Sequence, residues 1–219
     1  MNKVLIGSGS AEITEKKSRF IATAYEVHTE EEALAQLEQL RKQYWDARHN
    51  CYAYVIGKNS ELTRFSDDKE PQGTAGKPIL NVLTGAGLRN TLIVVTRYFG
   101  GILLGTGGLV RAYTGASAKV VEELTAADKI LEVQDGLRVS FTCEYKHIGR
   151  IENLFSGPEI CALKKEYGEK AVYEAAVPAG SLNTFSKSLL DATDGQSALQ
   201  ILEEITFCTA PGGALLYNF

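Results

Sequence analysis

TRYFGGILLGTGGLVRAY, residues 96–113, sets five glycines between Arg97 and Arg111, directly after a run of β-branched residues. The preceding run, TLIVVTRYF (91–99), is almost continuously apolar, the pattern of a strand buried on both faces. The stretch that follows, GLVRAYTGASAKVVEEL (108–124), carries apolar residues at helical spacing. The glycines therefore join a central strand to a helix N-terminus, where exposed N–H groups and the helix dipole favour anions. Glycine loses more conformational freedom on folding than any other residue, so five together mark unusual torsions or a close backbone approach. Two alternatives follow. Backbone amides around Gly100, Gly101, Gly105, Thr106, Gly107 and Gly108 hold an oxyanion while Arg97 and Arg111 fork onto its oxygens. Alternatively the glycines permit tight helix–strand packing and the arginines sit in structural ion pairs.

Charge along the chain favours the first alternative. The formal net charge is −4, yet residues 1–133 hold 16 Lys/Arg and 16 Asp/Glu, so the remainder carries the imbalance. No acid occurs between Glu70 and Glu122, an interval containing Lys77, Arg89, Arg97, Arg111 and Lys119. An acid-free stretch around the glycines reads as an electropositive site in an acidic protein, or as chance in an apolar region.

Working outward, AEITEKKSRFIATAYEV (11–27) reads as two strands joined near Lys17 and Ser18. Thr29 and Glu32 form a capping box for a helix whose apolar face is Ala33, Leu34, Leu37 and Leu40. CYAYVIG (51–57) and LTRFS (62–66) are strands around the turn KNSE, and a helix is expected from about Pro78. After Asp135-Gly136 the pattern restarts as β-α-β-β-α-β, the ferredoxin-like split unit, with the second helix beginning at Ser181. The fold class expected is α+β in two domains, 1–133 and 134–219. At 219 residues and 44% hydrophobic, the chain has the composition of a folded soluble protein. No secretory signal or membrane span is evident, and four scattered cysteines form no CxxC pair, so cytoplasmic localisation is expected.

Standard nucleotide motifs are absent. Gly100 to Gly105 has Walker A spacing, but Thr106 and Gly107 stand where a Lys-[Ser/Thr] pair belongs, and no G-x-G-x-x-G follows. No cofactor is expected. Asp67, Asp68 and Glu70 in SDDKEPQGTAGK (66–77) are candidates for Mg²⁺ or, as the stronger reading, for a loop that pins the glycine segment through Arg97. His49 and Cys51 share a strand face two residues apart, a spacing open to a nucleophilic pair but commoner for a buried thiol beside a bonded histidine. His28 and His147 read as surface residues at helix starts, and Tyr44 and Trp45 as helix-end packing. No G-x-S-x-G elbow occurs. No catalytic residue and no metal site is assigned.

Taken together, ARHNCYAYVIG (47–57), SDDKEPQGTAGKPIL (66–80) and VVTRYFGGILLGTGGLVRAY (94–113) resemble the IMPACT family, in particular its bacterial YigZ-type members. The resemblance covers about residues 15–125. It implies an N-terminal α/β sandwich similar to elongation factor G domain IV and the GHMP kinases, and a C-terminal domain similar to elongation factor G domains III and V. It also implies a link to translation, since eukaryotic relatives regulate initiation by competing for an activator of a stress kinase, a pathway a bacterial cell lacks. The hallmark positions fall on His49, Cys51, Asp67, Asp68, Glu70, Arg97 and Arg111 and on the glycines already named. Lys69 stands where members commonly have glycine, which argues against a positive φ in the acidic turn. The expected function is non-enzymatic binding of RNA, the ribosome or a translation-related protein through the glycine-rich site with Lys77. An enzyme acting on a phosphorylated small molecule and a protein–protein regulator are the alternatives.

Overall fold

A computed structural model describes residues 3–157, 160–210 and 213–217, and the chain divides into two compact units, Met1–Leu131 and Glu132–Asn218. In the first unit the strands are β1 (Lys3–Leu5), β2 (Ser8–Glu15), β3 (Ser18–Glu26), β4 (His49–Ile56), β5 (Leu62–Ser66), β6 (Leu88–Arg89) and β7 (Thr91–Tyr98). Its helices are α1 (Glu30–Gln43), α2 (Gly76–Gly85) and α3 (Gly105–Ala126). Five strands form an antiparallel sheet in the order β2-β3-β7-β4-β5, and β1 pairs with β6 in parallel.

β7 sits at the centre because its residues Thr91 to Arg97 are all buried, as their apolar and β-branched character requires. On one face, Ile93 and Val95 join Phe20, Cys51 and Ala53 beneath α2 and α3. On the other, Leu92 and Val94 pack with Tyr54, Ile56 and the α1 residues Ala33, Leu37 and Leu40. Helices thus cover both faces of the sheet. Leu34, expected on the α1 core face, is 47% exposed instead, because the buried stripe follows the i, i+4, i+7 positions that start at Ala33.

Helix starts follow their chemistry. Thr29 caps α1 by accepting from the Glu32 amide at 3.2 Å, Glu32 reaches back to the His28 amide at 2.7 Å, and three glutamates fill the first turn. α2 begins at Gly76, two residues before the expected start, because the Asp67 carboxylate collects the amides of Gly73, Ala75 and Gly76 at 2.8–2.9 Å. Trp45, expected to pack at the end of α1, is 82% exposed.

β8 (Ile130–Cys143) leads into the second unit, which contains α4 (Ile148–Leu154), β9 (Cys161–Tyr167), β10 (Ala171–Pro178), α5 (Leu182–Ala192), β11 (Gln200–Ala210) and β12 (Gly213–Leu216). Its antiparallel pairings run β9-β10-β8-β11-β12, the ferredoxin-like order with one added strand that the sequence pattern does not reveal. α4 and α5 cover one face of this sheet, over Phe141, Tyr173, Val139 and Val177. His147, expected at the surface, is 2% exposed, with Nε2 3.3 Å from Asp194. Asp194, two residues past the end of α5, is the partner of its ring, so its place at a helix start does not bring it to water.

Candidate functional site

Strand register assembles the site. Arg97 on β7 lies opposite both Phe20 on β3 and His49 on β4, so the three side chains stand in a row on the face that α3 covers. The Arg97 Cζ is 5.4 Å from the centre of the Phe20 ring and 5.5 Å from that of Phe99. Glu70 reaches the same row from the loop before α2. Its Oε1 accepts from Arg97 Nη1 at 2.6 Å and from the Tyr113 hydroxyl at 2.9 Å, and lies 3.9 Å from His49 Nε2.

This is an ion pair in a dry place: the Glu70 and Arg97 side chains are 4% and 7% exposed. Of the two sequence expectations for Arg97, a free fork or a contact with the acidic loop, the structure shows the contact: one arm of the guanidinium is held by Glu70. The other arm is poorly served. A guanidinium has five N–H groups. Among the described residues, Arg97 has beyond Glu70 a single further acceptor, Ser18 Oγ at 3.5 Å from Nη2, and its buried Nε has none.

Above Arg97 lies a cavity of about 370 Å³, lined among others by Arg48, His49, Glu70, Phe99 and Thr106. The start of α3 opens onto it through Leu104, Gly105 and Thr106. No side chain caps this helix and no acid occupies its first turn. The amides of Gly105, Thr106 and Gly107 have no intrahelical acceptor, so they carry the positive end of a 22-residue helix. Of the amides expected to form a nest over Gly100–Gly108, that of Gly100 is taken: it donates to Ser18 Oγ at 3.1 Å.

The glycines divide by role. Gly101 and Gly105 have φ of +84° and +71°, which turns the loop into the helix. Gly100 passes so close to the β2–β3 turn that a Cβ would lie 2.1 Å from the carbonyl carbon of Lys17. At Gly107 a Cβ would meet only Arg111 Nη1, at 3.7 Å.

The basic residues of the acid-free interval do not converge. Lys77 on α2 lies over the Phe65 ring at 5.8 Å, and Lys119 pairs with Glu122 and Glu123 at 3.2 and 3.8 Å. Arg89 is buried and donates to the Lys58 carbonyl. Arg111 is exposed and does not line the cavity. Arg48, which charge counting passed over, does line it, and its signal was its place beside His49 at the entrance of β4. Residues distant in sequence supply the charge; those adjacent to the glycines mostly do not.

The acidic loop is structural. The Asp67 carboxylate holds the start of α2, and Asp68 Oδ2 accepts the Asn50 amide at 2.7 Å. The Asp68 carbonyl accepts from His49 Nδ1 at 2.9 Å, which fixes Nδ1 as the protonated nitrogen and leaves the Nε2 lone pair free in the neutral ring. Asp68 and Lys69 have φ of +39° and +70°, so this turn does take left-handed torsions, at a lysine. Cys51 is fully buried, 3.0 Å from the Asp67 carbonyl and 3.3 Å from the Tyr113 hydroxyl, and burial pushes its thiol well above the ordinary range. Burial does the same to Tyr113. His49 and Cys51 each bond to the backbone of the acidic loop, and neither is hydrogen-bonded to the other. Among the described residues no group of His, Cys, Asp and Glu is placed to hold a metal, and no helix is long and apolar enough to cross a membrane.

The two units correspond to two family descriptions: residues 16–121 match the Impact N-terminal domain, and residues 141–196 match a domain of unknown function, DUF1949. The IMPACT family member YvyE of Bacillus subtilis (strain 168) is 39% identical over 194 residues, 88% of this chain and 87% of that protein. The IMPACT family member YigZ of Escherichia coli (strain K12) is 40% identical over 191 residues, 86% of this chain and 92% of its own. A crystal structure of a hypothetical protein, 36% identical, aligns over 93% of this chain and 98% of its own with a TM-score of 0.56. Similarity of this extent spans both units and the whole of the Arg97 cavity, and it places the chain in the IMPACT family.

Proposed function

We propose that the chain is a non-enzymatic regulator in translation that engages RNA through the cavity at the start of α3. The observation that carries this reading is the pairing of an uncapped helix N-terminus with a buried, under-satisfied guanidinium at the same cavity. Oxyanions are the ligands that serve both: their oxygens accept from free helix amides and from the open N–H groups of Arg97. Membership of the IMPACT family supports the translation setting. Arg48 at the exposed rim adds a positive charge, and Phe99, 42% exposed, adds an aromatic face of the kind bases stack on.

Binding of this kind depends steeply on salt. Filter binding of labelled oligoribonucleotides at several salt concentrations tests it. Arg48→Ala is expected to weaken binding uniformly across sequences and to reduce the log–log salt slope by about 1, the signature of one lost phosphate contact. Lys119→Ala, further along α3 and paired with Glu122 and Glu123, is expected to leave both unchanged. Absence of binding at low salt, or equal effects of the two substitutions, contradicts the proposal.

A further inference from the structure

The cavity has a depth order that narrows its ligand. Its polar floor is buried, with the Glu70 and Arg97 side chains 4% and 7% exposed. Its rim is open, with Leu103 83% and Phe99 42% exposed and Arg48 also exposed. A nucleic-acid strand that runs through a site needs two ways out, and the Arg97–Glu70 pair closes the lower one. An oxyanion seated between the α3 amides and Arg97 is then the end of its molecule.

The donors agree with this. Gly105 and Thr106 line the cavity and, with Gly107 just behind them, have amides that precede the helix's own hydrogen-bond ladder; Arg97 adds Nε–H and the weakly held Nη2. A phosphodiester offers two unbridged oxygens and one charge; a phosphate monoester offers three oxygens and about −1.5 to −2. Three oxygens share these five N–H donors better than the two of a diester do. At about 370 Å³ the cavity lies at the lower end of small-ligand pockets, room for one phosphorylated unit and not for several. The remaining wall is apolar and partly aromatic: Phe99, Leu103, Leu104, Leu109 and Pro71. That is a surface for a planar base and not for a second charged group.

We propose that this cavity takes a single nucleoside monophosphate unit, its terminal phosphate on the α3 amides and Arg97 and its base against Phe99. The inference rests on the anion-site reading above and specifies its ligand. The same unit occurs free in solution and as the 5′-phosphorylated end of an RNA.

Four probes on the full chain decide it: a decaribonucleotide with a 5′-phosphate, the same sequence with a 5′-hydroxyl, free nucleoside 5′-monophosphates, and a phosphoserine peptide. Trp45, the sole tryptophan, lies exposed three residues before Arg48 and serves as a fluorescence reporter, with calorimetry as the second readout. The 5′-phosphate is expected to bind at least about tenfold tighter than the 5′-hydroxyl, about 1.4 kcal/mol. Free monophosphates are expected to compete, and the phosphopeptide to bind much more weakly. Thr106→Glu places a carboxylate at the vacant helix start without touching the core, and is expected to abolish the 5′-phosphate preference while the chain stays folded. Phe99→Ala is expected to weaken monophosphates but not inorganic phosphate.

Equal binding of the 5′-phosphate and 5′-hydroxyl RNAs, both lost in Thr106→Glu, overturns the monoester inference and leaves RNA binding at the site standing. Phosphopeptide binding as tight as that of nucleotides overturns the nucleoside part. RNA binding untouched by Thr106→Glu overturns both readings, as does the absence of any binding. Tighter binding of free monophosphates than of the RNA end supports the inference with a free nucleotide as the ligand; the reverse supports it with an RNA terminus.

Discussion

Glu70→Ala is expected to destabilise the N-terminal unit by about 3–5 kcal/mol, the usual effect of stripping one partner from a buried ion pair. Arg97 would be left as a buried cation with Ser18 Oγ, 3.5 Å away, as its remaining acceptor, and the Tyr113 hydroxyl would lose the carboxylate at 2.9 Å. The loss is mostly the cost of an uncompensated charge and not the worth of the pair, so a second variant separates the two. Glu70→Leu combined with Arg97→Met removes both charges at similar volume and is expected to recover most of the lost stability. Denaturant unfolding of the three proteins checks this. A Glu70→Ala protein as stable as the parent would mean that the pair is hydrated and the cavity floor open. The double variant has a further use: it should fold yet bind no phosphate, because the guanidinium is gone.

The second large effect is expected at Gly100. A Cβ there would sit 2.1 Å from both the carbonyl carbon and oxygen of Lys17 and 2.5 Å from the Ser18 amide, all of them backbone atoms that cannot swing aside. Gly100→Ala must push the β2–β3 turn away from the loop and break the 3.1 Å bond from the Gly100 amide to Ser18 Oγ. Overpacking against backbone costs about 3 kcal/mol, and a unit of this size then melts roughly 10 °C lower. Gly107 is the control. Its Cβ would find only the end of a flexible arginine at 3.7 Å, so Gly107→Ala is expected to raise the melting temperature slightly, by the helix preference of alanine over glycine. Thermal unfolding of the pair distinguishes glycines kept for space from a glycine that leaves a helix start open. Equal effects would refute that division.

These two sites show what the sequence makes legible. β7 is legible because seven consecutive buried positions leave one possible place for it, the middle of a covered sheet. The ferredoxin-like pairing is legible because the order of elements allows few antiparallel arrangements. The junction of strand, glycines and helix was visible too, and with it the anion-favouring helix start. The contact between Arg97 and the acidic loop is legible too, and the fold selects the carboxylate that makes it: Glu70, 27 positions away, at 2.6 Å. Arg48 carries only a faint signal, its place beside His49 at the entrance of β4. Proximity in sequence overstated Lys77 and Arg111, because exposed side chains on α2 and α3 point where the helix phase sends them, whatever the local charge pattern. The Lys69 torsion was misjudged on composition: the Asn50 amide and His49 ring bonded to Asp68 hold the turn in a left-handed form that lysine does not prefer.

The proposed anion site rests on three amides, and they can be observed one by one. Titration of the ¹⁵N-labelled protein with a nucleoside 5′-monophosphate, followed by amide spectra, is the most direct measurement. Saturable downfield shifts concentrated at Gly105, Thr106 and Gly107, with the Arg97 Nε resonance moving in step, are the predicted result. Shifts that avoid those four groups, or none at millimolar ligand, would contradict it.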